Sequence, residues 1–185
     1  MDRISPVLSF WLDEVGPQGW YRVDPELDVL IRTRFGGLWR GGCASGLPGW
    51  AGSAEGALAR IIVFDQFPRN MFRGSGESFA SDALALAGAV DAIGRGFDQS
   101  VNGPMRQFFY LPFMHSEDLE MQDRGIGLFA KFMPGENERH ARAHRWVIAE
   151  FGRFPWRNQD LGRVSTAAEE AFLAQGGYAF AVRNN

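Results

Sequence analysis

The chain has 185 residues, 45% of them hydrophobic and 22% charged, and a formal net charge of −3. These totals suit a single globular domain over residues 1–185 and exclude disordered, collagen-like and membrane-spanning classes; no apolar run approaches the ~20 residues that a spanning helix needs. The acidic balance also argues against general nucleic-acid affinity, which rests on a basic surface that neutralises phosphates, so neither a nucleic-acid nor a membrane partner is expected.

The N-terminal MDRISPVLSFWLDEV mixes acids into a short apolar stretch. It lacks a basic head followed by a small-residue cleavage site, so it reads as a first helix rather than a signal peptide, and a cytoplasmic location is the expectation. Asp24-Pro25-Glu26 places a capping residue, a first-turn proline and an early acid ahead of Leu27, Leu30, Ile31, Arg34 and Phe35, a helical spacing. Gly36-Gly37, Gly41-Gly42 and Gly49 mark a looser segment around Cys43, the one cysteine, which leaves no intrachain disulfide or thiolate cluster. Ser53 opens a helix that carries Leu58, Ile61 and Ile62, and Pro68 is expected to end or kink it. Ser78 is the predicted start of an alanine- and leucine-rich helix that Gly94 and Gly96 stop.

Pro104 begins PMRQFFYLPFM, apolar on every side and therefore predicted to be buried on every side. Further helices are predicted over about Asp118 to Met133 and Asn137 to Gly152. Thr166-x-x-Glu169 is a capping-box pattern opening a last one, and the tail from Gly176 is expected to fray. No window alternates with a period of two for long enough to require a strand. The predicted fold class is all-α, with seven or eight helices whose short connections imply an array of antiparallel helical hairpins.

FDQFPRN, Phe64 to Asn70, returns 87 residues later as FGRFPWRN, Phe151 to Asn158. In the first copy the apolar stripe of Leu58, Ile61 and Ile62 runs on to Asp65 and then Arg69, and a desolvated acid needs a partner. In the second, His140, His144, Ile148 and Phe151 share one helix face, Pro155 is expected to stop that helix, and Arg157-Asn158 follow. From Arg139 to Arg163 six arginines stand against Glu150 and Asp160, a local balance of +4 that would suit an anionic ligand. Between the copies, the apolar helix runs straight into His115, Ser116, Glu117 and Asp118. Ser116 could cap the next helix and the two acids could complement its dipole, which leaves His115 unexplained.

Metal chemistry is weakly signalled. His140-x-x-x-His144 puts two imidazoles one turn apart, but Ala141 stands where the zincin motif requires Glu, and no metal or other cofactor is expected. The chain has no G-x-S-x-G, no phosphate-cradling glycine loop and no dinucleotide fingerprint.

FDQFPRNMFRG, FASDALALA, YLPFMHSEDL and FGRFPWRNQDLGR with ST-x-x-E-x-x-FL, in this order and preceded by SFWLDEV and WYRVDPELDVLIRTRF, resemble a bacterial family known as domain of unknown function 924. The resemblance covers nearly the whole chain. It implies a fold among the tetratricopeptide-like helical proteins, one domain of helical hairpins, and no established reaction. Its motif positions are Asp65, Gln66, Arg69 and Asn70, then His115, Glu117 and Asp118, then Arg153, Arg157 and Asn158, with His144 in the adjoining RAHRWVIAEF stretch.

Three functional readings follow. The first is a binding module that takes an anionic small molecule or a peptide carboxylate in a polar pocket shared by Asp65, Arg69, Asn70, His115, Glu117, Asp118, His144, Arg153, Arg157 and Asn158. The second is a hydrolase or transferase acting on an anionic metabolite, with His115 or His144 moving a proton. The third is a buried polar network that specifies helix packing and has no ligand.

Overall fold

Oxygen-bearing side chains cap four of the helices described below, at Asp24, Ser53, Asp118 and Thr166. In the computed structural model, which describes residues 3–184, α1 (Ile4–Leu8) passes through a π-helical segment, Ser9–Val15, into α2 (Gly16–Gly19). Asp24 accepts from the amides of Glu26 and Leu27 and opens α3 (Pro25–Ser45). Ser53 accepts from Gly56 and opens α4 (Ala54–Ile61), which continues through a second π-helical segment, Ile62–Gln66, into α5 (Phe67–Met71). Then come α6 (Asp82–Gly94), α7 (Gln107–Met114), α8 (Leu119–Phe132), α9 (Glu136–Phe151), α10 (Ala167–Ala174) and α11 (Tyr178–Asn184). The described residues contain no strand, and the chain is all-helical. It divides into two compact units, Met1–Pro112 and Phe113–Asn185.

In the first unit, Phe10, Trp11, Phe35, Phe67 and Phe108 form a buried aromatic core, with Phe35 and Phe67 at 4.8 Å and Trp11 edge-on to Phe67 at 5.7 Å. The glycine-rich stretch around Cys43 is helical, which corrects the expectation of a looser segment. Gly42 turns its bare face to the buried Phe64, where an added Cβ would lie 3.0 Å from the ring, whereas Gly37 and Gly41 meet nothing within 4 Å. Glycine here permits close approach of α3 to the π segment rather than a turn.

Pro68 does not end its helix. Its missing N–H leaves the Phe64 carbonyl, four residues back, without a helical donor. The buried Ser81 hydroxyl donates to that oxygen at 2.6 Å and accepts from the Trp39 indole at 2.9 Å. Upstream the register widens, so that the Phe67 amide bonds to Ile62 five residues back. The next two carbonyls also take side-chain donors: Arg69 bonds to the Asp65 carbonyl at 2.7 Å and Asn70 to the Gln66 carbonyl at 3.0 Å.

Ser78 does not start a helix. It lies buried in a 3-10 turn, Gly76–Phe79, and donates to the Phe72 carbonyl, while α6 begins at Asp82. In the second unit, α8 and α9 pack as a hairpin through the turn at 133–135, and α11 packs on α9. The tail read as fraying carries α11 through Asn184, with Ala181 buried in a cluster with Val147, Ile148, Phe154 and Phe172. Gly152, at φ 70°, ends α9 three residues before Pro155, so the glycine and not the proline is the stop.

Ser81→Ala should lower the unfolding free energy in urea by about 1–3 kcal/mol, because it leaves the Trp39 N–H and the Phe64 carbonyl buried without partners. An unchanged urea midpoint would show that neither bond matters to the fold.

Candidate functional site

The predicted site residues fall into two clusters, one within each unit. In the first, Arg69 forms a two-pronged pair with Asp82 at 2.8 and 3.0 Å and approaches Asp65 at 3.3 Å. Asp65 is 1% exposed and also accepts from the Gln66 side chain. Burial opposes the charge on Arg69, but Asp65 and Asp82 outweigh it and raise the pKa of the guanidinium further. Asn70 completes the group: its carbonyl accepts from Arg73 at 3.2 Å, and Arg73 is held by both oxygens of Asp28 at 2.9 and 3.0 Å. Asp82 was not anticipated as a partner. Its signal was an acid in the first turn of a helix, which reads equally as a dipole complement.

The second cluster gathers His115, Glu117, His144, Arg153, Arg157 and Asn158. Glu117 accepts from the Phe154 amide and from both terminal nitrogens of Arg163, each at 2.9 Å. Burial would raise its pKa, and these donors with the nearby Arg157 charge bring it below its ordinary value. Asp118 caps α8 by accepting from the Met121 amide at 3.0 Å, and Ser116 accepts from the Asp118 amide at 3.1 Å, so the capping residue is Asp118 rather than Ser116. Arg153 grips Glu169 at 2.6 and 2.8 Å and also reaches the Val164 carbonyl. The Arg153 bond, with the Thr166 amide and Asn158, holds the Glu169 carboxyl at about 2. This pair lines a groove of about 520 Å³ together with Glu150, Phe151, Thr166 and Ala168.

The positive local balance read from Arg139 to Arg163 is met by acids from elsewhere in the sequence. Arg139 pairs with Glu136, Arg142 with Glu138, Arg145 with Asp123, Arg153 with Glu169 and Arg163 with Glu117. Arg157 is 7% exposed, donates to the His115 carbonyl at 3.0 Å, lies 4.6 Å above the Phe154 ring and adds its charge to those that hold Glu117 ionised.

His144 sits among aromatic rings, with Tyr178 at 4.8 Å, Phe154 at 5.4 Å, Trp156 at 5.9 Å and His115 at 6.4 Å. Its Nδ1 donates to the His140 carbonyl at 2.8 Å, which fixes the tautomer with the proton on that nitrogen and leaves the Nε2 lone pair without a hydrogen-bond partner among the described residues. Burial above all, with the neighbouring Arg157, His115 and His140, pushes its pKa down to about 3. His140 bonds instead to the Tyr178 hydroxyl, and burial raises that phenol to about 12. Asn158 is 2% exposed; its amide donates to Ser165 at 3.1 Å, and its carbonyl oxygen is buried with no partner among the described residues. Tyr178 and Trp156 escaped the sequence reading, the first because it lies in the tail and the second because it reads as core. Among the described residues no group of three His, Cys, Asp or Glu side chains could hold a metal ion, and no helix is long and apolar enough to cross a membrane.

Two outcomes follow from these networks. Arg69→Met, which keeps much of the stem but strands Asp65, should cost about 3–5 kcal/mol in urea unfolding; equal or greater stability would mean that Arg69 does not neutralise the buried acid. Between pH 6.5 and 3 the unfolded chain binds a proton at His144 that the folded chain refuses. Its contribution is therefore complete above 6.5 and declines as the pH falls, and that of Glu169 follows below its ordinary 4.5. His144→Phe should reduce the slope of stability against pH by about one proton between 6.5 and 5; an unaltered slope would show that His144 charges freely.

Residues 7–177 match the model of a family described as a bacterial protein of unknown function (DUF924). A solved structure of a protein of unknown function from Agrobacterium tumefaciens shares 39% sequence identity and superposes with a TM-score of 0.89, covering 94% of this chain and 97% of that one. Comparison with curated proteins gives no match. With its motifs, its fold and its match over residues 7–177 in agreement, the chain belongs to the bacterial DUF924 family.

Proposed function

We propose that the protein is a helical binding protein whose second unit takes an anionic small molecule or a peptide carboxylate, with Arg157 as the cation and His115, His144 and Asn158 beside it. One observation carries this reading: His144 is locked as a neutral imidazole, its Nδ1 spent on the His140 carbonyl and its Nε2 lone pair open, within a wall of Phe154, Trp156 and Tyr178. A few placed polar groups against aromatic walls are the usual makeup of a small-molecule site. Arg157, buried over an aromatic ring, supplies the charge that an anion requires.

The same observation weakens the acid–base alternative. A general base works best with a pKa near the operating pH, and His144 lies far below it. The first cluster supports the structural reading for its own residues, since Arg69 is met by two carboxylates there.

Thermal unfolding of the purified chain in a graded series of mono- and dicarboxylates, phosphate esters and short peptides with free C-termini is the test. At least one class should raise the melting temperature saturably, and Arg157→Gln should abolish the rise. A flat response across the whole series in the folded wild type would overturn the reading.

A further inference from the structure

The first unit carries a groove lined by none of the predicted site residues. One wall is the run from Arg3 through α1 and the π segment to α2, and the other is α3. Arg3, Pro6, Phe10 and Glu14 follow one another at spacings of three, four and four, and so do Leu27, Leu30, Arg34 and Leu38. Such spacing puts each set on one helix face. Arg3 and Pro6 share a cavity of about 250 Å³ with Arg34, Phe35 and Leu38, while Phe10, Glu14 and Val15 share one of about 310 Å³ with Leu27 and Leu30. Numbers rise along one wall as they fall along the other, so the two faces run antiparallel and the cavities are successive stretches of one groove.

The cavities meet at one ion pair. Arg34 reaches across from α3 to Glu14 at 2.7 Å, with its guanidinium 5.2 Å from the centre of the Phe10 ring. The two side chains are 45% and 53% exposed, and an exposed pair of this kind is worth a factor of only roughly one and a half to five in an equilibrium constant. This bridge is therefore easily displaced. The two stretches also differ in charge. The smaller is lined by two guanidinium groups and no acid, and Arg3 has no partner among the described residues. The larger is floored by Phe10, Val15, Leu27 and Leu30, and its Arg22 and Asp24 cancel each other in a pair at 2.8 Å.

We propose that this groove is a second ligand site, which binds an acyl carboxylate lengthwise. The carboxylate lies between Arg3 and Arg34 and takes the place of Glu14 on the Arg34 guanidinium, while the hydrocarbon chain lies over Phe10 toward Leu30 and Leu27. A guanidinium meets a carboxylate with paired N–H donors, so the exchange at Arg34 replaces one ion pair by another of the same geometry. Arg3 adds a cation that has nothing to give up, and the displaced Glu14 turns to the solvent it already faces. From Leu38 back to Leu27 α3 spans roughly 16 Å by its helical rise, a length that suits an extended acyl chain and that a short carboxylate leaves empty. Burial of that chain against the apolar floor supplies the larger share of the affinity. The site shares no residue with the second-unit site and does not depend on it.

The test is calorimetric titration of the full chain with decanoate below its micelle concentration. Three probes accompany it: acetate, which has the head alone, decanol, which has an uncharged head, and decylamine, whose head carries the opposite charge. Decanoate should bind at least about tenfold more tightly than each of the three. Arg3→Gln combined with Arg34→Gln should bring decanoate down to the level of decanol. Leu30→Trp puts an indole into the groove from a position that is 37% exposed and changes no charge; it should block decanoate while the melting temperature of the free protein stays near that of the wild type. Glu14→Gln removes the competitor for Arg34 and should tighten decanoate about twofold to fivefold. Arg157→Gln should leave the titration unchanged, which separates this site from the second-unit one. Any of the three probes matching decanoate would mean unspecific adsorption and overturn the proposal, as would decanoate binding that survives Leu30→Trp or disappears in Arg157→Gln. Unchanged affinity in Glu14→Gln would overturn the exchange at Arg34 and with it the placement of the head. No binding of decanoate to the folded wild type would overturn the proposal outright and leave the second-unit reading standing.

Discussion

The first unit is organised around a hydrogen atom that Pro68 does not have. Without that amide proton the Phe64 carbonyl is open inside the core, and a buried carbonyl must find a donor. Ser81 supplies it, and the serine is itself held by Trp39, so one missing proton ties α3, the α4–α5 helix and the segment that leads into α6 to a single point. The π segment Ile62–Gln66 belongs to the same accommodation, since a widened register lets the chain pass the proline ring and continue as helix. Arg69 and Asn70 then double as side-chain donors to the carbonyls of Asp65 and Gln66. In this copy the aromatic, proline, arginine and asparagine letters are a device for carrying a helix through a proline.

The second copy uses the same letters for a different end. Gly152 has already closed α9, so Pro155 has no helix to interrupt, and the loop is instead pinned from outside by Glu117 on the Phe154 amide and by Arg153 on Glu169. Arg157 and Asn158 are therefore released from backbone duty within their own helix. Their side chains reach the His115 carbonyl, distant along the chain, and Ser165 in the following loop. Sequence similarity between the copies is real, and the local backbone decides whether it yields a structural splice or a set of presented polar groups.

Much of the fold was legible because helix caps and apolar stripes are local signals. Asp24, Ser53 and the Thr166–Glu169 box act at the positions their letters announce, and PMRQFFYLPFM is buried on all sides from Gln107 onward. The failures share a cause in tertiary context. Gly36 to Gly42 read as a loop by propensity, and only the proximity of Phe64 explains why bare backbone is wanted there. Pro68 read as a stop because Ser81, 13 residues on, cannot be foreseen as its substitute donor. The positive balance around Arg157 likewise looked larger than it is, because Asp123, Glu117 and Glu169 lie away in sequence and close in space. The Asp65–Arg69 pair, by contrast, was visible from its spacing of four once the helix is known to continue.

The glycines of α3 bear on how this unit moves. Gly37 and Gly41 touch nothing, so each weakens the helix by roughly 0.5–1 kcal/mol relative to alanine with no packing in return. Gly36 and Gly42 weaken it as much, but a Cβ at Gly42 would crowd the Phe64 ring at 3.0 Å, and one at Gly36 would make ordinary contacts with Arg40, Arg32 and Met71. The C-terminal half of α3 therefore persists through its neighbours rather than through its own propensity. On this basis, loosening Ile62–Gln66 should expose the backbone from Gly36 to Cys43 to solvent exchange before the capped N-terminal half of the same helix.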